Sequence, residues 1–179
     1  MSEWRVPFNR TTLVGNELRY IRQAVEDGHL SGDGTFTRRC SELLESLLGV
    51  GRVLLTPSGT HALEMCALLL EIGPGDEFVV PSFAFVTTAG AFALRGSRPV
   101  FVDVRPDTLN LDETRLREKI TPRTKAIVAL HYAGVACEMD AIEEVSQETG
   151  VPVVEDNAHG LFGTYPKFGL DEPTATAPE

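Results

Sequence analysis

Residues 125–130 read Lys-Ala-Ile-Val-Ala-Leu, a short apolar run without in-and-out alternation. That pattern suits a strand covered on both faces. Outward from it the same kind of run recurs at 52–55 (Arg-Val-Leu-Leu), 77–80 (Glu-Phe-Val-Val), 99–102 (Pro-Val-Phe-Val) and 151–154 (Val-Pro-Val-Val). Helical stretches are expected between them at 60–71, 86–94, 112–120 and 139–149. Repeated strand–helix–strand units imply right-handed crossovers. The fold class expected is therefore α/β, with a mostly parallel sheet flanked by helices.

Upstream the pattern is helical. Val14, Leu18, Ile21 and Val25 recur at helix spacing, and Gly28 can end that helix. Gly32, Asp33 and Gly34 make 29–35 a loop. A second amphipathic helix follows, with Phe36, Cys40, Leu43, Leu44, Leu47 and Leu48 on one side and Gly49 at its end. Downstream, 164–179 runs into Asp-Glu-Pro-Thr-Ala-Thr-Ala-Pro-Glu, the composition of a solvated tail. The expected division is 1–165 as the folded part and 166–179 as a disordered tail. Periodicity that stops while a sheet still needs its next element reads as a domain cut short.

With 179 residues, 42% of them hydrophobic, the chain can bury one core. A net charge of -10 argues against a nucleic-acid or anionic-membrane surface, which requires a basic face. Cys40, Cys66 and Cys137 form an odd set without Cys-x-x-Cys, so neither a disulfide framework nor a zinc knuckle is indicated. The four histidines are scattered, and no metal site is expected. The first residues carry no apolar leader, and the expectation is a cytoplasmic protein.

Ligands of a parallel α/β sheet bind beyond the carboxyl ends of its strands, and several chemically capable residues fall at such ends. Ser58-Gly59-Thr60 opens a helix after the run at 52–55, so its N–H groups and hydroxyls suit a phosphate. A plain helix cap is the alternative reading. Asp156 follows the run at 151–154, where a carboxylate can pair with a pyridinium nitrogen and keep it protonated. It could equally cap the next helix. His159 can approach a ring oxygen or lie idle on the surface. Phe85 can stack on a flat ring or pack in the core. His131 follows the run at 125–130 and could reach the same crevice.

Taken in order, these segments resemble the DegT/StrS-type sugar aminotransferases, fold-type I enzymes dependent on pyridoxal 5′-phosphate (PLP). The similarity runs from about Val6 to about Tyr165. It is closest to the branch that aminates TDP-4-oxo-6-deoxy-D-glucose. The strings that carry it are Gly32-Asp33-Gly34-x-Phe36-Thr37-Arg38-Arg39-Cys40, Val53-Leu54-Leu55-Thr56-Pro57-Ser58 and His131-Tyr132-Ala133-Gly134-Val135-Ala136-Cys137-Glu138-Met139-Asp140. The resemblance implies that Ser58, Gly59 and Thr60 hold the PLP phosphate and that Phe85 stacks on the ring. It also implies that Asp156 pairs with the ring nitrogen, that His159 approaches the phenolic oxygen, and that the Gly32–Phe36 loop lies near the sugar nucleotide. Glutamate as amino donor, a TDP-4-keto-6-deoxy sugar as acceptor and a homodimer are implied likewise. The family's Schiff-base lysine lies in a Ser-Phe-x-x-x-Lys-like segment that would fall beyond Glu179. Lys119, Lys125 and Lys167 are poorly placed to replace it, so no catalytic residue is assigned. The chain alone is expected to be inactive. The rival expectations are a non-catalytic PLP or sugar-nucleotide binding module, and a non-functional fragment.

Overall fold

The computed structural model describes residues 10–165, which form two compact units divided after Leu55. The tail expected at 166–179, and Lys167 with it, lies outside the described residues.

The first unit contains α1 (Glu17–Glu26) and α2 (Thr35–Leu48). Gly49 ends α2 in the left-handed conformation at φ 65°, a backbone state open to glycine at little cost. Tyr20 of α1 meets Phe36 of α2 edge-on at 5.5 Å, and the Arg39 guanidinium lies 5.2 Å from the Phe36 ring. No side chain of either helix is buried. Residues 52–55, expected as a strand, join no ladder. The Val53 N–H instead donates to Glu45 Oε1 at 2.9 Å, and Leu54 and Leu55 are exposed. A strand exists only where a neighbour takes its backbone groups, and apolar composition supplies no neighbour.

The second unit is the α/β body. Its elements are α3 (Gly59–Leu69), β1 (Glu77–Pro81), α4 (Val86–Ala93), β2 (Arg98–Val102), β3 (Thr124–Leu130), α5 (Met139–Thr149) and β4 (Val153–Asp156). The strands form one sheet in the order β2-β1-β3-β4, every pair parallel. The central strands are the runs without alternation: every residue of β1 is buried, and all of β3 except Lys125. Pro99, which cannot donate to a ladder, sits on the edge strand β2, where that loss is tolerated.

Each face of the sheet has its own core. On one, Leu63 and Ala67 of α3 and Ala91 and Phe92 of α4 pack on Phe78, Val80, Ala126 and Val128. On the other, Ile142 and Val145 of α5 pack on Val79, Ile127 and Ala129, together with Leu111 and Leu116. The helix expected at 112–120 is instead two short 3-10 turns, Glu113–Arg115 and Arg117–Lys119. Asp112 caps the first through the Thr114 N–H at 3.1 Å, and Pro122 biases residue 121 toward extended backbone. The two turns still send Leu116 into the core.

The amino-terminal rim of the sheet is tied by one carboxylate. Glu77 is buried and bonds Arg98, Arg123 Nε at 2.9 Å and Thr121 Oγ1 at 2.7 Å. The Thr121 hydroxyl and the two guanidinium groups hold its carboxyl at about 2, well below the usual range.

Candidate active site

The carboxyl end of the sheet gathers the residues of interest, and local sequence explains how. Ser58 caps α3: its Oγ accepts the His61 N–H at 3.3 Å and lies 2.8 Å from His61 Nδ1. A helix leaves its first N–H groups without intrahelical acceptors, so Gly59 and Thr60 present theirs at the positive end of the helix. Because α3 leads back to the start of β1, its amino terminus stands beside the loop that leaves the end of β1. The contact is direct, since Thr60 Oγ1 donates to Thr87 Oγ1 at 3.1 Å.

That loop carries Phe85, the N-cap of α4, a residue 71% exposed. Core packing, the alternative for this residue, is therefore not what it does. One turn into α4, the buried Thr88 donates to Asp156 Oδ2 at 2.8 Å. Asp156 closes β4, and its carbonyl accepts the His131 N–H at 3.1 Å. Among the described residues its other carboxylate oxygen accepts a long bond, from the Ala158 N–H at 3.4 Å. Ser58, Thr60, Phe85 and Asp156 thus hang on elements joined by two side-chain hydrogen bonds, Thr60–Thr87 and Thr88–Asp156.

His159 lies on the turn after β4, exposed, its ring edge-on to Tyr132 at 6.3 Å; Tyr132 in turn packs on Phe83 at 5.0 Å. His131 does not open toward solvent. Its side chain is buried, with Nε2 2.8 Å from Glu155 Oε2 and Nδ1 accepting the Cys137 N–H at 3.1 Å. Since Nδ1 accepts, Nε2 carries the hydrogen and donates to Glu155. His131 thereby braces the strand end, which is a different task from contacting a ligand. Burial pushes the Cys137 thiol up to about 12, so it stays protonated and is no nucleophile.

Several participants carried no local signal. Asn110 is buried and gives Nδ2 to the carbonyls of Val135 and Ala136 at 2.9 Å each, while its Oδ1 accepts the Tyr132 N–H at 2.9 Å. It pins the loop after β3 from more than twenty positions upstream. Thr88 meets Asp156 across 68 positions, beyond the reach of any spacing argument.

The residues fit a PLP-type cofactor at two ends. The free N–H groups of the α3 terminus suit a dianionic phosphate, and Asp156 Oδ1 keeps acceptor capacity for a ring N–H. Among the described residues no lysine stands beside them. Lys125 opens β3, five residues and therefore ~16 Å of strand from Leu130 at the carboxyl end. Lys119 lies before β3, on the same side as Lys125, and pairs with Glu118 at 3.8 Å.

Known proteins resemble this chain in both sequence and fold. Residues 12–167 match the model of the DegT/DnrJ/EryC1/StrS aminotransferase family. The chain belongs to that family. GDP-perosamine synthase of Caulobacter vibrioides is 36% identical over 161 residues, covering 90% of this chain and 43% of the relative. The aminotransferase TlmJ from Streptoalloteichus hindustanus superposes with a TM-score of 0.78 at 44% identity, over 84% of this chain and 41% of that one. Spr1654 of Streptococcus pneumoniae, solved in PLP and PMP forms, gives a TM-score of 0.79 at 26% identity, and its PLP form is covered to 44% by 89% of this chain. The chain therefore spans about two-fifths of the length of these relatives. Among the described residues no group of three or more His, Cys, Asp or Glu side chains could hold a metal, and no helix is long and apolar enough to cross a membrane.

Proposed function

We propose that residues 1–165 form the N-terminal part of the large domain of a nucleotide-sugar aminotransferase, and that this chain binds PLP or its amine form, PMP, without transaminating alone. The observation that carries this reading is the joining of the α3 terminus and Asp156 through the first turn of α4. Gly59 and Thr60, with Ser58 beside them, hold the phosphate. Phe85 covers one face of the ring, Asp156 receives the ring N–H, and His159 donates toward the phenolic oxygen. When bound, the cofactor supplies an electron-withdrawing ring and carries the amino group between donor and acceptor.

The substrate class follows from the three long strings quoted above, which favour a TDP-4-keto-6-deoxy sugar aminated at C4 with glutamate as donor. The relative that makes GDP-perosamine supports a nucleotide-linked sugar in general. In the whole enzyme the second copy of a homodimer would complete the site. Among the described residues the lysines are Lys119 and Lys125, at the opposite end of the sheet from Asp156, so neither supplies the amine that moves the proton between carbon atoms.

The experiment incubates the purified chain with PLP, glutamate and TDP-4-oxo-6-deoxyglucose, then measures amino sugar and borohydride-fixed cofactor. The expected result is cofactor uptake with turnover no higher than free PLP. Turnover above that background, or cofactor trapped on Lys167, would overturn the claim of binding without catalysis.

A further inference from the structure

Thr87 and Thr88 stand next to each other in the first turn of α4, yet they reach opposite ends of the proposed site. Neighbours on a helix diverge by about 100°, so one can face α3 while the other faces β4. Thr87 accepts the Thr60 hydroxyl at 3.1 Å; Thr88 donates its own to Asp156 Oδ2 at 2.8 Å. Thr88 is fully buried, and a buried hydroxyl is costly unless it is bonded. Its backbone is served separately, by the N–H bond to the Phe85 carbonyl at 2.9 Å. The hydroxyl is thus not needed to build the helix, and valine would fill the same space.

We infer that Thr87 and Thr88 are positioning residues that fix the phosphate-holding turn and the Asp156 carboxylate relative to each other, at the span of one rigid phosphorylated pyridine. This rests on the proposed cofactor role of Asp156 and Thr60. A rigid ligand gripped at both ends gains from both contacts only if their separation is set beforehand. One helical turn bonded to both ends sets it. Asp156 has two side-chain torsions, and the Thr88 bond removes their freedom by holding Oδ2. That leaves Oδ1, which among the described residues takes one long bond from the Ala158 N–H, as the oxygen open to a ring N–H. From the other side, the His131 N–H holds the Asp156 carbonyl at 3.1 Å, so both backbone and side chain are pinned.

The test titrates the full 179-residue chain with PMP, pyridoxamine and inorganic phosphate, following PMP and pyridoxamine by fluorescence and phosphate by equilibrium dialysis. PMP needs no lysine for its attachment. Thr88→Val should weaken PMP and pyridoxamine about tenfold, as expected for loss of a hydrogen bond to a charged group, and leave phosphate unchanged. Thr88→Ala should do the same, and Thr88→Ser should restore PMP affinity to within about twofold, since it returns the hydroxyl. Thr87→Val should weaken PMP and phosphate severalfold while sparing pyridoxamine. In an Asp156→Asn background, Thr88→Val should add less than about twofold, the mark of a shared contact. Thermal melts check that each variant is folded. A folded Thr88→Val or Thr88→Ala chain that binds PMP as wild type does, or a Thr88→Ser chain as weak as Thr88→Val, overturns the positioning role and leaves the proposed function standing. A wild-type chain that takes up no PMP overturns the proposed function and this role with it.

Discussion

The two units of this chain are built from similar helices and use them differently. In the first, Leu18, Ile21 and Val25 of α1 line up at helix spacing, yet all are more than half exposed. In the second, α4 is shorter by two residues and buries Thr88, Ala91 and Phe92. The contrast is not one of sequence quality. An apolar stripe says which face of a helix seeks cover, and only a neighbouring surface supplies it. The sheet provides that surface for α3, α4 and α5.

The largest break in this comparison should come from the sheet. Phe78 is fully buried and stacks on Phe92 at 5.1 Å, so Phe78→Ala should cost ~3–5 kcal/mol. That corresponds to a fall in Tm of roughly 10 °C by circular dichroism. Leu18→Ala, at a position 78% exposed, should cost no more than ~0.5 kcal/mol. Equal losses at the two positions would mean that α1 is as well covered as β1.

Next comes the Glu77 cluster. Its folded carboxyl titrates at about 2, below the ordinary 4.5, so its contribution is full above pH 4.5 and is lost as pH falls toward 2. The acid limb of stability should therefore be shallower in Glu77→Gln than in wild type over that window. The carboxyls of Asp107 and Glu148 are also held low, chiefly by hydrogen bonds from Arg105 and Arg117, but their side chains are largely exposed. Their share should fade in ~1 M salt, where screening acts within about 3 Å, while the Glu77 share persists. The last effect is local. Ser58→Ala removes the cap of α3 and should cost about 1 kcal/mol, within the second unit only.

Four of the five expected strands form at the apolar runs, β4 two residues later than expected, and the runs without alternation are clearest in the buried central strands β1 and β3. Residues 52–55 carry the same composition without a partner, and partnership is a property of the rest of the sheet. At 112–120, expected as a helix, the chain makes two short 3-10 turns instead, the first capped by Asp112. The positions of Ser58, Phe85 and Asp156, at two helix starts and one strand end, were readable because such ends announce themselves locally. Thr88, Asn110 and the inward bonding of His131 were not, since each depends on partners that only the folded chain brings together.

The central claim is that the second unit alone holds the cofactor, between the α3 terminus and the end of β4. Amide hydrogen exchange with and without saturating PMP tests it most directly. Slowed exchange is predicted at Gly59–Ala62 and at Asp156–His159, with residues 17–48 unchanged. Slowing confined to 17–48, or none at Gly59–Ala62 and Asp156–His159 under saturation, would contradict it.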